Sequence, residues 1–362
     1  MDLSSSYFEG TTCPLAQRGY SRDGRRGTLQ VNYGLLTDGR GCPVAVSVHE
    51  GHTADPTTLL PEITRIQEDF GITQFVMVGD RGMISRAAIT TLREQDGIDW
   101  ITALKSALIR ALVEDQTLQP DLFDETNLCE ITHPDYPGER LIACRNPELA
   151  KLRAHKRAEL LQATEEDLIP IATRVAAGRL KGQDQIGLVV GRVINRYKMA
   201  KHFTLTLTDT TFRFARKEDA IAAEAALDGL YVIRTSVPAE RLNAPGCVRH
   251  YKSLSQVERA FRSMKTVDLK VRPIHHRLSD RVRAHIFLCM LAYNVEWHLK
   301  EAWRELLFAD EDQAAKAIRD PVAPAGRALS RSQSEDRTPA SRGWHPDPQL
   351  PNPPHGAGHP RA

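Results

Sequence analysis

Residues 74–82 read QFVMVGDRG, and this segment sets the fold class of the chain. Its central residues are apolar, which predicts a short strand buried on both faces, as in a parallel sheet. Apolar residues at helical spacing predict a helix over 56–69 before it, and Ser85 is placed to cap a second helix over 85–95 after it. A further strand is predicted over 99–104. Strands that alternate with helices indicate an α/β fold.

Three more strands are predicted upstream of this unit. The segment DLSSSYF at 2–8 tolerates an extended conformation, and LQVNYGLL and CPVAVSVHEG form a hairpin pattern around the turn TDGRG. Residues 10–27, rich in Gly and Arg, predict a loop. We expect the first three strands to form an antiparallel meander, which the two later strands join through right-handed crossovers. The predicted core is a mixed five-stranded sheet with flanking helices, and its first part spans 1–104.

Residues 105–235 differ from this core and are interpreted as an insertion made largely of strands. A polar helix is predicted over 149–168, and its basic run KLRAHKR is typical of a solvated helix face. Short strand-like segments surround this helix at 129–132, 141–144, 204–207, 212–214 and 230–234.

Helices in residues 236–310 are predicted to complete the core. Ser253 is placed to cap the first of them, which runs to about Lys265. Asp280 is placed to cap another, which runs to about Leu307.

Composition bounds the class of protein. The 362 residues are 41% hydrophobic and 26% charged, close to the globular average. No run of about 18 apolar residues and no signal-peptide pattern occurs, so a cytoplasmic protein without a membrane span is expected. The six cysteines show no metal-ligand spacing. Residues 311–362 are rich in Pro, Arg, Gly and Ser, which predicts a disordered tail.

A basic segment suggests an anionic partner. Between Tyr251 and Arg283, nine basic residues oppose three acidic ones, while the whole chain carries a net charge of +2. This local excess suits a polyphosphate, although a solvated helix face explains the charge equally well.

Three acidic residues lie where phosphodiester chemistry would need them. Asp2 lies on the first predicted strand, and Glu258 lies on a downstream helix. Asp80 directly follows the strand at 75–79, at the strand end where open α/β sheets place their sites. Carboxylates from distant segments can hold two Mg²⁺ ions on a phosphate. Each signal is weak alone, because such residues are commonly turn or surface residues.

The helix that carries Glu258 has two stripes. Tyr251, Glu258 and Lys265 are seven residues apart, so on one helix they share a stripe. A neighbouring apolar stripe suited to packing on the sheet comprises Leu254, Val257, Phe261 and Met264. Glu258 would then lie at the edge of the core, facing the strand ends.

Together these segments resemble transposases of the DDE type, specifically the IS-four-like superfamily of bacterial insertion sequences. DLSSSYFEG resembles the motif of the first acid, HEGHTADPTTL the segment after the third strand, and VMVGDRGMIS the motif of the second acid. YKSLSQVERAFRSMK resembles the signature Tyr-x2-Arg-x3-Glu-x6-Lys, with Leu254 at the arginine position. DGLYVIRTS resembles the strand before that signature. The resemblance spans residues 2–310.

The resemblance implies a ribonuclease-H-like core with a β-rich insertion before the last catalytic helix. It implies that Asp2, Asp80 and Glu258 are catalytic and bind two Mg²⁺ ions, with Mn²⁺ as a substitute. The implied activity is strand cleavage and strand transfer on double-stranded DNA at insertion-sequence ends. The implied assembly is a homodimer on DNA, bound to the bacterial nucleoid in the cytoplasm.

The resemblance also implies DNA contacts and two departures from the family. Tyr251 and Lys265 are expected to contact DNA phosphates, and charge and helix position add Arg259 and Arg262. Family members carry a region before the first acid that binds element ends, whereas Asp2 follows Met1 directly. This suggests an N-terminally truncated chain, and the Pro/Arg-rich tail suggests a frameshifted or decayed element.

Two alternatives stay open at this point. One is a catalytically inactive remnant that binds DNA in a salt-sensitive manner without metal-dependent nicking. The other is a hydrolytic nuclease on the same fold, which cuts DNA without strand transfer.

Overall fold

The computed structural model describes residues 1–119, 122–303, 306 and 322. The strands are β1 (Asp2–Tyr7), β2 (Gln17–Arg18), β3 (Leu29–Thr37), β4 (Pro43–Glu50), β5 (Phe75–Val78), β6 (Ile98–Ala103), β7 (Leu128–Ile131), β8 (Arg140–Arg145), β9 (Phe203–Leu207), β10 (Phe212–Arg216) and β11 (Leu230–Thr235). The α-helices are α1 (Asp55–Asp69), α2 (Arg86–Leu92), α3 (Ser106–Glu114), α4 (Pro147–Ala176), α5 (Gln183–Tyr197), α6 (Glu218–Ala225), α7 (Ala244–Lys252), α8 (Leu254–Arg262) and α9 (Ser279–Ala302).

The predicted antiparallel meander is confirmed. Strand β3 pairs with β1 on one side and with β4 on the other, and Asp2 lies opposite Leu35. The short strand β2 pairs with the start of β3. This first sheet buries its apolar residues under α8 and α9, where the rings of Tyr33 and Phe261 meet edge to face at 5.7 Å.

The predicted five-stranded mixed sheet is also present, but its strands are not those expected. Its order is β5-β6-β11-β8-β7, with β5 and β6 parallel and the other pairs antiparallel. Three of its strands, β7, β8 and β11, come from the predicted insertion. Strand β11 pairs with the edge of β6, which would otherwise remain unpaired. The two sheets meet at Met1, whose amino nitrogen donates to the carbonyl oxygen of Val78 at 3.0 Å.

The expectation that residues 105–235 are largely strands was wrong. The 30-residue helix α4 runs eight residues beyond the predicted end and packs against α5 and the β9–β10 hairpin. The apolar positions Leu161, Leu168 and Val175 recur every seven residues and are buried in this unit. Pro170 lies inside the helix just after the predicted end, and a proline normally ends or kinks a helix, so the sequence hid its full length.

Of the predicted cap residues of the last helices, Ser253 was right and Asp280 was wrong. Ser253 is the N-cap residue of α8, although its hydroxyl donates to the carbonyl oxygen of His250 at 2.7 Å and makes no hydrogen bond to α8. Asp280 lies inside the first turn of α9, which ends at Ala302.

Within the described residues, no helix is long and apolar enough to cross a membrane. Apart from Val322, the tail predicted to be disordered lies outside the described residues.

A buried ion pair ties α2 to the five-stranded sheet. The carboxylate of Glu139 is fully buried and accepts two hydrogen bonds of 2.6 Å from the guanidinium of Arg234 on β11. Arg93, which follows α2, donates to the same carboxylate at 2.5 Å. Because two cations surround one buried anion, removing the anion would leave a buried guanidinium unpaired.

We therefore expect Glu139→Gln to lower the free energy of unfolding by about 3–5 kcal/mol. Glu148→Gln, which breaks an exposed pair with Lys151, should cost less than about 1 kcal/mol. Urea unfolding followed by circular dichroism measures both. Equal costs for the two variants would contradict this account of the buried pair.

Candidate active site

The structure brings Asp2, Asp80 and Glu258 to one cleft of about 510 Å³. Asp2 comes from β1, Asp80 follows β5 directly, and Glu258 lies exposed on α8. Three segments that are far apart in sequence thus present a carboxylate each to the same space.

The three carboxylates line one cleft but are not close enough to one another to bind a single metal ion together. In the described part of the chain, no three histidine, cysteine or carboxylate side chains are close enough to hold one metal ion together. The three acids share a space that an ion could enter, and ligation would require their side chains to move closer.

The carboxyl group of Asp2 has a perturbed pKa. Burial raises the pKa of its carboxyl group to about 6, and the negative charge of Asp80 adds to the rise. The amide of Leu3 donates to Oδ1 of Asp2 at 2.8 Å and opposes the shift. Two carboxylates therefore repel each other across the cleft while one of them is partly removed from water.

Asp80 is held by the turn that follows β5. Its Oδ1 atom accepts hydrogen bonds from the amides of Gly82, at 3.0 Å, and Met83, at 2.7 Å. A Cβ atom at Gly79 would lie 2.9 Å from Cγ1 of Ile84, so glycine is needed where this turn closes. The Oδ2 atom of Asp80 accepts no hydrogen bond from the described residues.

The expected stripe of Tyr251, Glu258 and Lys265 does not lie on one continuous α-helix. The chain forms α7, then α8, and then a π-helical turn over Ser263–Val267 that carries Lys265. Lys265 lines the cleft with Glu258, whereas Tyr251 does not. Tyr251 is half-buried. Burial is the main cause that raises the pKa of its phenol, and the negative charge of Asp80 adds to the rise. A sequence spacing of seven could not reveal the break at residue 253 or the wider turn.

A buried carboxylate that sequence reasoning missed holds Lys265 in place. Asp23 accepts a hydrogen bond of 3.0 Å from Nζ of Lys265, and the guanidinium of Arg272 pairs with the same oxygen. Its other oxygen accepts the amide of Tyr7 at 3.0 Å, and the side chain is only 1% exposed. We call Asp23, Lys265 and Arg272 the Asp23 cluster. Burial lowers the pKa of the Lys265 ammonium, and Asp23 opposes that shift.

A second ion pair also lines the cleft. Arg22 pairs with Asp55, the first residue of α1, and the amide of Arg22 donates to the hydroxyl of Ser5 on β1 at 2.9 Å. Sequence reasoning singled out neither residue. The sequence signal for Arg22 is the charged run RDGRR inside the predicted loop at 10–27. The sequence alone did not show which residue this run would pair with.

The two arginines proposed from helix position lie in different places. Arg262 lines the cleft and also a neighbouring groove of about 830 Å³, whereas Arg259 lines only the groove. Neither forms an ion pair within the described ranges. Both are exposed, so they are free to meet an anion from solvent.

A family model described as the transposase DDE domain matches residues 7–295. The chain belongs to the transposase DDE domain family. The match confirms the expected DDE type of transposase, over a range that includes Asp80 and Glu258 and begins after Asp2. No curated protein matches the chain.

Among solved structures, the transposase domain is similar to the piggyBac transposase in a synaptic complex with hairpin DNA. The two are 9% identical, with a TM-score of 0.28. The similarity covers 94% of this chain and 62% of that one, so the domain spans less than two thirds of the piggyBac chain. At this score the similarity does not define the fold of the domain.

The raised pKa of Asp2 makes the stability of the transposase domain depend on pH. A buried carboxyl with a raised pKa stabilises the fold while protonated, and this contribution is lost as the pH rises from about 4 through about 6. With a chelator present, we expect Asp2→Asn to be more stable than the unchanged domain at pH 8, by up to about 3 kcal/mol. At pH 5 this difference in the free energy of unfolding should shrink by about half.

Thermal unfolding at both pH values measures this gap, with Glu148→Gln as the control. A gap that is the same at pH 5 and pH 8 would show that Asp2 has an ordinary pKa in the folded domain.

Proposed function

We propose that this transposase domain cleaves DNA strands at insertion-sequence ends and joins them to target DNA. Asp2, Asp80 and Glu258 would be its catalytic, metal-binding residues. The observation that carries the proposal is their convergence on one cleft from residues 2, 80 and 258. If the three acids had only structural roles, there would be no reason for carboxylates from separate elements to line the same cleft, where they repel each other.

The donor set in the cleft fits divalent metal ions in kind. Carboxylate oxygens are the ligands that Mg²⁺ prefers, and Mn²⁺ accepts the same set. The repulsion between Asp2 and Asp80 is also what a bound cation would relieve. When bound, two ions would activate the attacking oxygen and stabilise the leaving oxygen of a phosphodiester.

The side chains of the domain prepare the cleft for an anionic substrate. Asp2 has to lose its proton before it can bind a cation, so binding should weaken as the pH falls through about 6. The amides of the turn after β5 fix one oxygen of Asp80. The Asp23 cluster keeps Lys265 and Arg272 at the cleft, where they can face phosphates, and Arg262 adds an unpaired charge.

The strand arrangement supports a ribonuclease-H-like core. The antiparallel strands β4, β3 and β1 lie beside the parallel strands β5 and β6, and the contact between Met1 and Val78 joins the two groups. We infer membership of the IS-four-like superfamily from the resemblance that the matching segments carry in their sequences. We also infer a DNA duplex as partner, a homodimer on that DNA, and a location at the bacterial nucleoid.

The proposed chemistry predicts that Glu258→Gln loses activity. In Mg²⁺ or Mn²⁺, the domain should nick a duplex that carries the element's terminal repeats, and Glu258→Gln should nick it at least about 100-fold more slowly. Gel assays of labelled duplex measure nicking, and labelled ends joined to a plasmid report strand transfer. Glu148→Gln is the matched control, because Glu148 is exposed and does not line the cleft.

Three other outcomes each point elsewhere. Nicking that persists in Glu258→Gln would exclude the proposed site. Nicking without joined products would indicate a hydrolytic nuclease. An absence of nicking together with salt-sensitive DNA binding would indicate an inactive DNA-binding remnant.

A further inference from the structure

The basic side chains that line the acidic cleft differ in how firmly they are held. Lys265 and Arg272 share the carboxylate of Asp23, which is 1% exposed, so their removal would leave a buried charge unpaired. Arg22 instead pairs with Asp55, and these two side chains are 20% and 29% exposed. Partly exposed ion pairs contribute little to stability, so Arg22 can change its partner at a small cost.

The backbone holds Arg22 beside the first acid. The amide of Arg22 donates to the hydroxyl of Ser5 at 2.9 Å, and Ser5 is buried on β1, the strand that begins with Asp2. The amide of Tyr7 on the same strand donates to the next loop residue, Asp23. Burial raises the pKa of the Asp2 carboxyl group, and the positive charge of Arg22 opposes that rise. Arg22 is therefore a cation on a fixed loop next to the first acid.

Two kinds of group compete for this guanidinium. Its planar fork matches two oxygens of a phosphate, which it can bind bidentately. The same fork would pair with Asp2 or Asp80 if nothing else held it, and a cation there would repel a metal ion. Asp55 offers a carboxylate at the first residue of α1, where the helix N-terminus favours a negative charge. Arg22 is thus paired with a carboxylate that is not one of the three acids.

We propose that Arg22 binds a phosphate of the substrate beside the acids, and that Asp55 positions Arg22 until the substrate enters. While the cleft is empty, the ion pair keeps Arg22 from Asp2 and Asp80. When a phosphate enters, the guanidinium exchanges the carboxylate of Asp55 for the phosphate oxygens. The inference rests on the proposed function, which supplies a DNA substrate, and it gives roles to two residues that the proposed chemistry does not use.

The double variant Arg22→Gln/Asp55→Asn separates these roles from a purely structural ion pair. It removes the pair without changing the net charge of the cleft. DNA binding should stay weak in this variant, because the phosphate contact is lost. Metal binding should stay normal, because no unpaired guanidinium competes with the metal ion. An ion pair with only a structural role would not divide the two kinds of binding in this way.

Fluorescence anisotropy of a labelled duplex that carries the element's terminal repeats tests the phosphate contact in EDTA. We expect Arg22→Gln and the double variant to bind this duplex about five- to tenfold more weakly at 100 mM salt. The slope of log affinity against log salt should fall by about one. Arg22→Lys keeps the charge and should keep the slope. Full binding by the double variant would show that Arg22 only balances the charge of Asp55, and would overturn its proposed role.

Isothermal titration calorimetry with Mn²⁺ alone, at pH 8, tests the positioning role of Asp55. Asp55→Asn leaves the charge of Arg22 unpaired near Asp2 and Asp80, so Mn²⁺ should bind about five- to tenfold more weakly. The double variant should bind Mn²⁺ as tightly as the unchanged domain. A loss that persists in the double variant would show that Asp55 is itself a ligand or a structural residue. That result, or an Asp55→Asn variant with unchanged affinity, would overturn the positioning role.

Arg216→Gln/Glu165→Gln is the matched control, because this ion pair on the insertion is also partly exposed and does not line the cleft. It should change neither affinity, and circular dichroism checks that every variant folds. Neither measurement depends on strand cleavage, so a failure of the proposed chemistry is seen separately, in the nicking assay of Glu258→Gln. An unchanged domain that binds no Mn²⁺ would contradict the proposed metal site and the role of Asp55 together. The DNA measurement would then still decide the role of Arg22.

Discussion

The buried carboxylate of Asp23 is the interaction on which the cleft depends. It accepts the amide of Tyr7 on β1, the strand that begins with Asp2, and it accepts Lys265 in the turn that follows the helix of Glu258. A single side chain thus links the strand of the first acid to the helix of the third. An unpaired buried charge would cost several kcal/mol, and the pairing with Lys265 and Arg272 offsets that cost.

The second acid is placed by backbone geometry. The hydrogen bond from Met1 to Val78 sets β1 beside β5, and the turn after β5 then fixes Asp80 through its own amides. These constraints bury the carboxyl group of Asp2 and bring it near the charge of Asp80. Burial, and to a smaller extent that charge, raise the pKa of Asp2, and the charged form is unfavourable for the fold. Sites that perform chemistry commonly carry such a cost to stability.

Local patterns were sufficient to predict the elements around the three acids. The short apolar run before Asp80 predicted β5, and the cap residue Ser85 predicted α2. Helical spacing predicted α1 and the packing face of α8 and the turn after it, where Val257, Phe261 and Met264 are buried. Asp23 could not be found in this way. It lies in a Gly/Arg-rich loop without periodicity, and its partner Lys265 is 242 residues away. The pairing of β6 with β11 was missed for the same reason, because strand partners that are distant in sequence leave no local signal.

The most direct measurement is Mn²⁺ binding by the domain, compared with its Asp23→Asn variant. Isothermal titration calorimetry at pH 8 gives the affinity and stoichiometry, and circular dichroism shows whether the variant is folded. If Asp23 sets the spacing of Asp2 and Glu258, the unchanged domain binds two ions, and the folded variant binds them at least about tenfold more weakly. Equal affinity in a folded Asp23→Asn variant would contradict the claim that this carboxylate organises the cleft.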